Sequence, residues 1–374
     1  MSEDARRPPP PFDLSVVTGF LGAGKTTLLN RLLRDPALAN TLVLINEFGE
    51  VGLDHLLVER VEGDMLVMTS GCLCCTIRGD LVSSLEDALR ARDNNRMAPF
   101  ERVVIETTGL ADPVPVLHTI ISHPYLRLRF RLRSVVTLVD ALTGMATLDT
   151  QDEAVKQAAM ADRLVLTKTD LATDSAALEE LKQRLQALNP GAPVFDAASG
   201  EATAARLFGS VSYDPAARGE NATAWLAAEA IEARDHTHGH HHHDRNRHDA
   251  SIRAFCLRHP RPVAPMAVSL FMELLRSAHG PRLLRFKGLI ALSDDPARPL
   301  VAHGVQHVMH EPQRLAAWPD EDHTTRMVFI LRDLDPAFVE GLWRAAIGEP
   351  QLDRADAAAL TGNPLAPGLG GLLG

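Results

Sequence analysis

Eight residues near the start of the chain have the types and spacing that bind a nucleotide phosphate. Residues 19–26 read G-F-L-G-A-G-K-T, which matches the pattern G-x-x-x-x-G-K-[S/T]. An apolar run, Leu14–Thr18, precedes them and a helical stretch follows. Glycines let backbone N–H groups converge on phosphate oxygens, and the helix N-terminus favours negative charge there. The pattern predicts a phosphate-binding loop, with an ordinary Gly-rich turn as the alternative.

Each position of this loop has an expected task. We expect Lys25 to reach the β and γ phosphates, the hydroxyl of Thr26 to bind Mg²⁺, and Thr27 to lie near the α phosphate. The same residue types therefore make Lys25 and Thr26 candidates for catalysis. The other positions expected to contact the nucleotide are Gly19, Gly22, Ala23 and Gly24.

A carboxylate and a glycine follow a second apolar run. Residues 106–109 read E-T-T-G and come directly after Arg102–Ile105. P-loop enzymes hold the water shell of Mg²⁺ with a carboxylate at the end of a buried strand, so Glu106 is a third catalytic candidate and a magnesium ligand. Gly109 can offer its backbone N–H to the γ phosphate, as in the D-x-x-G motif of GTPases. The alternative is a glutamate that caps the next turn.

A third motif has the residue types that select guanine. Residues 167–170 read T-K-T-D and follow the apolar run Arg163–Leu166. The carboxylate of Asp170 can accept hydrogen bonds from N1–H and N2–H₂ of guanine, which adenine lacks. The stem of Lys168 packs on the base. Thr167 stands where GTPases usually carry Asn, which predicts lower affinity; an ordinary strand exit is the alternative.

Three of the four cysteines, Cys72, Cys74 and Cys75, lie within four positions. Thiolates prefer Zn²⁺ or Cu⁺ over Mg²⁺. Three sulfurs leave a fourth position for a carboxylate, a histidine or an incoming ligand, which suits a transferable metal. Glu50 and His123 are the candidates for that position, and buried free cysteines or a redox pair are the alternatives.

A histidine tract lies between His236 and His248 and holds seven of the sixteen histidines. Imidazole binds borderline divalent ions, so we expect weak metal capture of low specificity. A solvated linker without a metal role is the alternative.

The elements that must position these motifs follow from periodicity. From Phe12 to about Ser199, short apolar runs alternate with helical stretches, which indicates an α/β fold: a mostly parallel sheet flanked by helices. The predicted strands are Leu14–Thr18, Leu42–Asn46, Val103–Glu106, Ser134–Val139, Arg163–Thr167 and Pro193–Asp196. Helices are predicted at Thr26–Arg34, Leu81–Arg92 and Ala176–Leu188.

A regular hydrophobic pattern resumes after residue 250 and predicts a smaller mixed α/β domain. Strands are expected at Ile252–Arg258, Leu283–Leu292, Val301–Val308 and Met327–Leu331, and helices at Val268–Ser277 and Pro336–Ala346. The expected plan is a flexible leader at 1–11, a nucleotide-binding domain at 12–200, a linker with the histidine tract at 201–250, a C-terminal domain at 251–347 and a flexible tail at 348–374.

Composition excludes several classes of protein. The 374 residues are 45% hydrophobic and 23% charged, which fits two globular domains and no collagenous or wholly disordered chain. With 38 basic and 48 acidic residues the net charge is −10, a poor basis for nucleic-acid binding. No long apolar run and no secretory signal are visible, so we expect a cytoplasmic protein that binds no membrane.

Taken in order, the motifs resemble those of the CobW-type P-loop GTPases, metal-chaperone GTPases of the CobW and zinc-transferase kind. The matching segments are G-F-L-G-A-G-K-T-T-L-L-N, N-E-F-G-E-V-G, G-C-L-C-C-T-I-R-G-D-L, E-T-T-G-L-A-D-P and T-K-T-D-L. In the second half, the segments that begin at Leu284, Gly304 and Arg326 are similar to the C-terminal domain of that family. The resemblance extends from Phe12 to about Ala345.

The resemblance implies a GTPase, a hydrolase acting on the phosphoanhydride bond of GTP, that delivers metal to a client metalloprotein. It implies GTP, Mg²⁺ and Zn²⁺ as ligands, with Co²⁺ or Ni²⁺ as other cargoes, and it leaves a homodimer open. By the family's pattern, Cys72, Cys74 and Cys75 with Glu50 form the metal region. Ile45 stands where some relatives have a further glutamate, which removes one oxygen ligand.

We expect GTP to order the loops at Glu47–Asp54 and Gly71–Asp80, and hydrolysis to release the metal. No glutamine stands beside Gly109 to orient the attacking water, so slow turnover is expected. The alternatives are a metal-buffering or storage protein, a small-molecule kinase, and a nickel or cobalt insertion GTPase for a metalloenzyme or the cobalamin pathway. Intact Lys25, Thr26 and Glu106 argue against the first of these.

Overall fold

The computed structural model describes residues 10–46, 57–61, 65–70, 77–209, 251–310 and 312–349. These residues build two sheets with helices packed against them, one sheet in each half of the chain. Within these ranges, no helix is both long and apolar enough to cross a membrane.

The first sheet has eight strands in the order β3-β4-β2-β5-β1-β6-β7-β8. Seven of them run parallel, and β3 alone pairs antiparallel with its neighbour β4. The strands are β1 (Phe12–Gly19), β2 (Thr41–Asn46), β3 (Leu57–Val61), β4 (Met65–Ser70), β5 (Arg102–Glu106), β6 (Phe130–Asp140), β7 (Arg163–Thr167) and β8 (Val194–Asp196).

Eight helices accompany this sheet within the described residues. They are α1 (Lys25–Leu32), α2 (Ile77–Asp93), α3 (Val114–Ser122), α4 (Leu126–Arg129), α5 (Gly144–Thr150), α6 (Asp152–Met160), α7 (Ser175–Leu188) and α8 (Ala204–Phe208). Because helices cover both faces, the central strands are apolar along nearly their whole length, as the residues of β5 and β7 illustrate. The predicted α/β class and its mostly parallel sheet are confirmed.

Three features of this half were not predicted. Strands β3 and β4 lie in segments where the hydrophobic pattern predicts no strand. Helix α8 packs on the sheet through Leu207 and Phe208, and the hydroxyl of Ser134 donates to the carbonyl of Leu207 (2.9 Å). The predicted boundary at residue 200 therefore precedes a helix that is part of the first core.

The second sheet is antiparallel, with the order β12-β11-β10-β14-β9 and with β13 paired to β11. Its strands are β9 (Ile252–His259), β10 (Leu283–Ile290), β11 (Leu300–Val305), β12 (Val308–Met309), β13 (Gln313–Arg314) and β14 (Thr325–Arg332), with helices α9 (Pro265–His279) and α10 (Pro336–Ala346). The single strand predicted at Val301–Val308 is two, because the chain turns at Gln306, where φ is 51°.

The two halves share a core. Leu284, Val305, Val308 and Ile330 of the second sheet join the apolar cluster formed by β1, β5 and α3 of the first half. Every residue of β10 is buried, because one side of this strand faces α9 and α10 and the other faces the first domain. The contact between the domains is thus built like the interior of one domain.

Charged groups complete this contact. The guanidinium of Arg285 pairs with the carboxylate of Asp162, and both side chains are almost wholly buried. The same guanidinium donates to the carbonyl of Met160 (2.8 Å), and Lys287 donates to that of Gly191 (2.8 Å). Burial raises the pKa of Asp162, but Arg285 and Lys287 hold it below the ordinary value.

Two histidines lie beside this ion pair. The rings of His303 and His310 stack with their centroids 3.9 Å apart. Burial lowers the pKa of His303 well below its ordinary value. Burial and the nearby Arg285 lower the pKa of His310 to about 4, although Asp162 acts in the opposite direction. Both rings are therefore neutral in the folded protein at neutral pH.

These histidines predict acid-sensitive stability. The unfolded chain protonates His310 near pH 6.5 and the folded chain only near about 4, so the unfolded state binds more protons between those values. The free energy of unfolding should fall by about 1–2 kcal/mol from this residue alone between pH 7 and 5. Urea unfolding at each pH measures it. His310→Gln should make the free energy of unfolding depend less on pH, whereas substitution of the exposed His323 should leave this dependence unchanged. If the free energy of unfolding varied equally with pH in the unchanged protein and in both variants, the prediction would be contradicted.

Candidate functional site

The motifs found in the sequence converge at one edge of the first sheet. Strand β1 lies between β5 and β6, and all three run parallel. Their carboxyl ends therefore lie side by side, with Gly19, Glu106 and Asp140 at the ends of the three strands. Thr167 ends the next strand and is the register partner of Asp140. Ligands of open α/β sheets bind at such an edge, where neighbouring connections leave in opposite directions.

The phosphate loop follows β1 and has a backbone that only glycine adopts easily. Gly19, Gly22 and Gly24 have φ values of 142°, 73° and 81°. At Gly19 a Cβ atom would lie 2.4 Å from the carbonyl oxygen of Leu138, so no side chain fits. Gly24 is the N-cap of α1, and this helix begins at Lys25. The first turn of a helix presents backbone N–H groups to an anion, so the start of α1 suits a phosphate group.

Lys25 and Thr26 already have partners in this loop. The ammonium of Lys25 donates to the carbonyls of Gly19 (2.9 Å) and Phe20 (3.2 Å). The hydroxyl of Thr26 donates to Oε1 of Glu106 (2.8 Å), a carboxylate that is only 5% exposed. A hydroxyl and a carboxylate side by side are the hard oxygen ligands that suit Mg²⁺. Thr27 lies exposed in the same helical turn.

The turn after Glu106 is held against the phosphate loop. The backbone N–H of Thr107 donates to the carbonyl of Val17 (2.9 Å), and its hydroxyl donates to the hydroxyl of Thr18 (2.8 Å). A Cβ atom on Gly109 would lie 2.5 Å from the backbone nitrogen of Leu21. Only glycine allows this approach, so Gly109 lies directly against the loop that is expected to hold the phosphates.

Thr167 stands where GTPases usually carry Asn, and it makes a contact that the sequence pattern does not predict. Its hydroxyl donates to the carbonyl of Ala23 (2.9 Å) in the phosphate loop. The side chain is buried, and a Cβ atom added at Gly24 would lie 3.8 Å from its methyl carbon. This hydrogen bond ties the third motif directly to the first.

Asp140 is a site residue that sequence reasoning missed. Lys168 has a left-handed backbone (φ 58°), and its ammonium donates to Oδ2 of Asp140 (2.6 Å). The other carboxylate oxygen accepts from the backbone N–H of Leu142 (2.8 Å). Burial raises the pKa of Asp140, but the hydrogen bonds from Lys168 and Leu142 outweigh it and lower the pKa below its ordinary value. Its position at the end of β6, beside β7, was the available signal.

Asp170, the residue expected to read guanine, is exposed at the mouth of the same edge. Its neighbour Thr169 donates to Oδ1 of Asp196 (2.6 Å), at the end of β8. Asp196 also accepts from the backbone N–H of Ala198 (2.8 Å), which shapes the following turn. Two loops therefore flank the space beside Asp170.

The expected metal ligands are only partly described. Glu50, Cys72, Cys74 and Cys75 lie outside the described residues. His123 is the C-cap residue that follows α3, and its Nδ1 accepts from the backbone N–H of Leu126 (3.4 Å). Among the residues that the structure describes, no group of three or more His, Cys, Asp or Glu side chains could hold a metal ion.

Comparison with known proteins matches both halves of the chain. Residues 13–196 match the family described as CobW/HypB/UreG, nucleotide-binding domain, and residues 252–347 match the cobalamin synthesis protein CobW C-terminal domain. The zinc chaperone YjiA of Escherichia coli is 33% identical over 86% of this chain and 94% of its own length. The zinc chaperone CobW of a Sinorhizobium species is 29% identical over 89% and 95%.

The fold comparison gives the same result. A crystal structure of Zn(II)-bound YjiA GTPase from Escherichia coli matches with a TM-score of 0.65 and 30% sequence identity. The match covers 91% of this chain and 99% of that one. Both domains are therefore included in the similarity.

The hydrogen bond from Thr167 predicts a measurable loss of nucleotide affinity. Thr167→Val keeps the shape but leaves the buried carbonyl of Ala23 without its donor, so the affinity for GDP should fall by about tenfold. Fluorescence titration with a labelled GDP measures this. Thr167→Asn keeps a donor and should bind within about threefold of the unchanged protein. Thr150→Val is the control, because Thr150 is exposed on α5; equal losses in both valine variants would contradict the assignment.

The contact of Gly109 predicts a defect in hydrolysis. Gly109→Ala must separate two backbone segments that now touch, so the rate of GTP hydrolysis should fall by at least about tenfold. Phosphate release under saturating GTP gives this rate. The matched control is Gly341→Ala on α10, where an added Cβ meets open space. Unchanged hydrolysis in the Gly109 variant would show that the turn has no part in catalysis.

Proposed function

This chain belongs to the CobW/HypB/UreG family of GTPases, and on that basis we propose that it binds zinc beside its nucleotide and delivers the metal to a client protein under the control of GTP. Two relatives that match nearly their whole length to this chain are named zinc chaperones. Their names support the choice of zinc among the divalent transition metals.

The reaction of this GTPase requires charge stabilisation more than covalent chemistry. Lys25, which now contacts two carbonyls of its own loop, would exchange them for the β and γ phosphate oxygens. Thr26 and Glu106 would hold Mg²⁺, which neutralises charge on the phosphates when bound. The N–H of Gly109 would contact the γ phosphate, so this turn would sense whether GTP or GDP is present.

Selection of guanine would rest on Asp170, whose carboxylate can accept from both donors on the guanine edge. The ion pair between Lys168 and Asp140 supports this assignment, because it fixes the strand exit from which Asp170 projects. Thr167 fixes the same exit to the phosphate loop. Base and phosphate sites are therefore joined by hydrogen bonds.

One observation carries the proposal that metal and nucleotide share a site. Strand β2 pairs with β4 on one side and with β5 on the other, so Asn46, Ser70 and the end of β5 at Glu106 lie at one edge of the sheet. Glu50 comes four residues after Asn46, and Cys72 comes two residues after Ser70. Since a chain reaches at most about 3.5 Å per residue, we expect Glu50 and Cys72 to come close to the nucleotide edge of the sheet.

The chemistry of these residues supports a transferable metal. Three thiolates and a carboxylate form a soft to borderline set that suits Zn²⁺ and leaves room for exchange with a client's ligands. His123 is a further candidate, since one of its ring nitrogens is engaged by the backbone and the other can bind. GTP would order the two segments, and hydrolysis would loosen them and release zinc.

Zinc affinity measured with and without nucleotide tests this proposal. Chelator competition is run on the unchanged protein and on Cys74→Ser/Cys75→Ser, each with Mg²⁺ and either GDP or a non-hydrolysable GTP analogue. The double variant should lose at least about tenfold in affinity, because two thiolate ligands become weakly binding hydroxyls. In the unchanged protein, the affinity should differ between GDP and the GTP analogue.

Two controls separate this site from other zinc ligands. Cys256→Ser removes a cysteine on β9, outside the motif, and should bind zinc as the unchanged protein does. Replacement of His240–His243 by serine should remove only weak sites. If zinc binds equally well in every cysteine variant and with either nucleotide, the protein is a metal buffer or an ordinary GTPase.

A further inference from the structure

Helix α6 lies between the γ-phosphate turn and the C-terminal domain. It spans Asp152–Met160, and six of its nine residues are buried. One of the six is a polar residue, Gln157, whose side chain is fully inaccessible to solvent. A buried amide in an otherwise apolar helix costs stability unless it is hydrogen-bonded, so its partners are informative.

Gln157 holds the turn that contains Gly109. Its side-chain NH₂ donates to the carbonyl of Gly109 (3.2 Å) and to that of Ala111 (3.0 Å). Both partners can only accept, which fixes the orientation of the amide group. The backbone carbonyl of Gln157 is fixed in turn, because the hydroxyl of Thr137 on β6 donates to it (2.8 Å).

The C-terminal domain contacts both ends of the same helix. In its first turn, Asp152 accepts from the guanidinium of Arg332 on β14 (2.5 Å). In its last turn, the carbonyl of Met160 accepts from Arg285 on β10 (2.8 Å). A helix of nine residues moves as one body, so displacement at Gln157 must reach both contacts.

We propose that Gln157 is a positioning residue for GTP hydrolysis, because it holds the Gly109 turn in the position in which it contacts the γ phosphate. Movement of this turn displaces α6, and α6 in turn displaces its contacts in the C-terminal domain. The proposal rests on the proposed contact between the N–H of Gly109 and the γ phosphate. It requires no contact between Gln157 and the nucleotide.

The geometry predicts which nucleotide depends on the contact between Gln157 and the Gly109 turn. The N–H of Gly109 and its carbonyl belong to the two peptide planes that meet at the same α-carbon, so we expect a contact that shifts the N–H to shift the carbonyl held by Gln157. GTP supplies that pull and GDP does not, since GDP lacks the γ phosphate. Removal of the amide should therefore weaken the binding of GTP and leave the binding of GDP nearly unchanged.

A second contact between the same parts agrees with this route. Helix α3 begins at Val114, directly after the turn, and its His118 packs on His307 of the C-terminal domain with ring centroids 4.6 Å apart. The turn is thus attached to the second domain on two sides. The Gln157 contact is the one that substitution can remove without touching the domain interface.

The test compares two nucleotides in the full-length protein. Gln157→Leu removes both donors at similar size; Gln157→Met is a second, more flexible replacement that keeps the test usable if the leucine variant unfolds. We expect the affinity for a non-hydrolysable GTP analogue to fall by at least about tenfold, with GDP within about twofold. The rate of hydrolysis should fall while the affinity for GDP reports intact folding.

Gln151→Leu is the matched control, because Gln151 is the N-cap of the same helix and its side-chain NH₂ donates to the hydroxyl of Thr150 (3.5 Å) at the exposed surface. It should bind both nucleotides normally. Equal losses for both nucleotides in the Gln157 variants, or no loss, would overturn the proposal, since a purely structural role cannot distinguish GTP from GDP.

Hydrogen exchange tests transmission to the C-terminal domain. In the unchanged protein, replacing GDP by the GTP analogue should alter exchange in β10 and β14, and Gln157→Leu should abolish the difference at saturating nucleotide. No difference in the unchanged protein would overturn this part. These experiments contain no zinc, so failure of the metal-delivery proposal and failure of this one give different results.

Discussion

The parallel pairing of β1 with both β5 and β6 is the constraint on which the site depends. It aligns the carboxyl ends of three buried strands and so brings Gly19, Glu106 and Asp140 to one edge. The side-chain contacts of the site adjust the positions of these residues, but the strand pairing alone brings them together. The hydrogen bond from Thr26 to Glu106 spans 80 residues of sequence, yet it requires only that β1 and β5 be neighbours in register.

The contact between the domains depends on one carboxylate, Asp162, that has partners in both of them. Asp162 accepts from the backbone N–H of Val135 (2.8 Å) and so helps to join β6 to the connection before β7. The same carboxylate receives Arg285 from the second sheet. A buried carboxylate needs several donors to offset its lost hydration. Asp162 has a donor from each domain, so it helps to fix the position of both. The apolar cluster around Leu284 and Ile330 excludes water from the pair.

The sequence was sufficient for those parts of the site that are local in the chain. A strand, a glycine-rich loop and a helix follow one another directly at Leu14–Leu32, so the phosphate loop could be predicted from spacing alone. The same holds for Glu106 and for Thr167–Asp170, which end apolar runs. The α/β class follows from the same runs, since strands covered on both faces must be apolar throughout.

Asp140 also ends an apolar run, but its role, like that of Gln157, depends on a distant partner and could not be predicted in this way. Lys168 lies 28 residues from Asp140, and Gly109 lies 48 residues from Gln157. Spacing along the chain carries no information on such pairs before the order of strands is known. The break at Gln306 was missed because a left-handed residue other than glycine leaves little trace in composition.

The shared charges at the domain contact limit how this protein can evolve. A C-terminal domain exchanged for one without Arg285 would leave Asp162 buried without its strongest partner, so recombination between relatives would be penalised at this junction. We therefore expect the two domains to tolerate exchange only as a pair, although each has its own sheet.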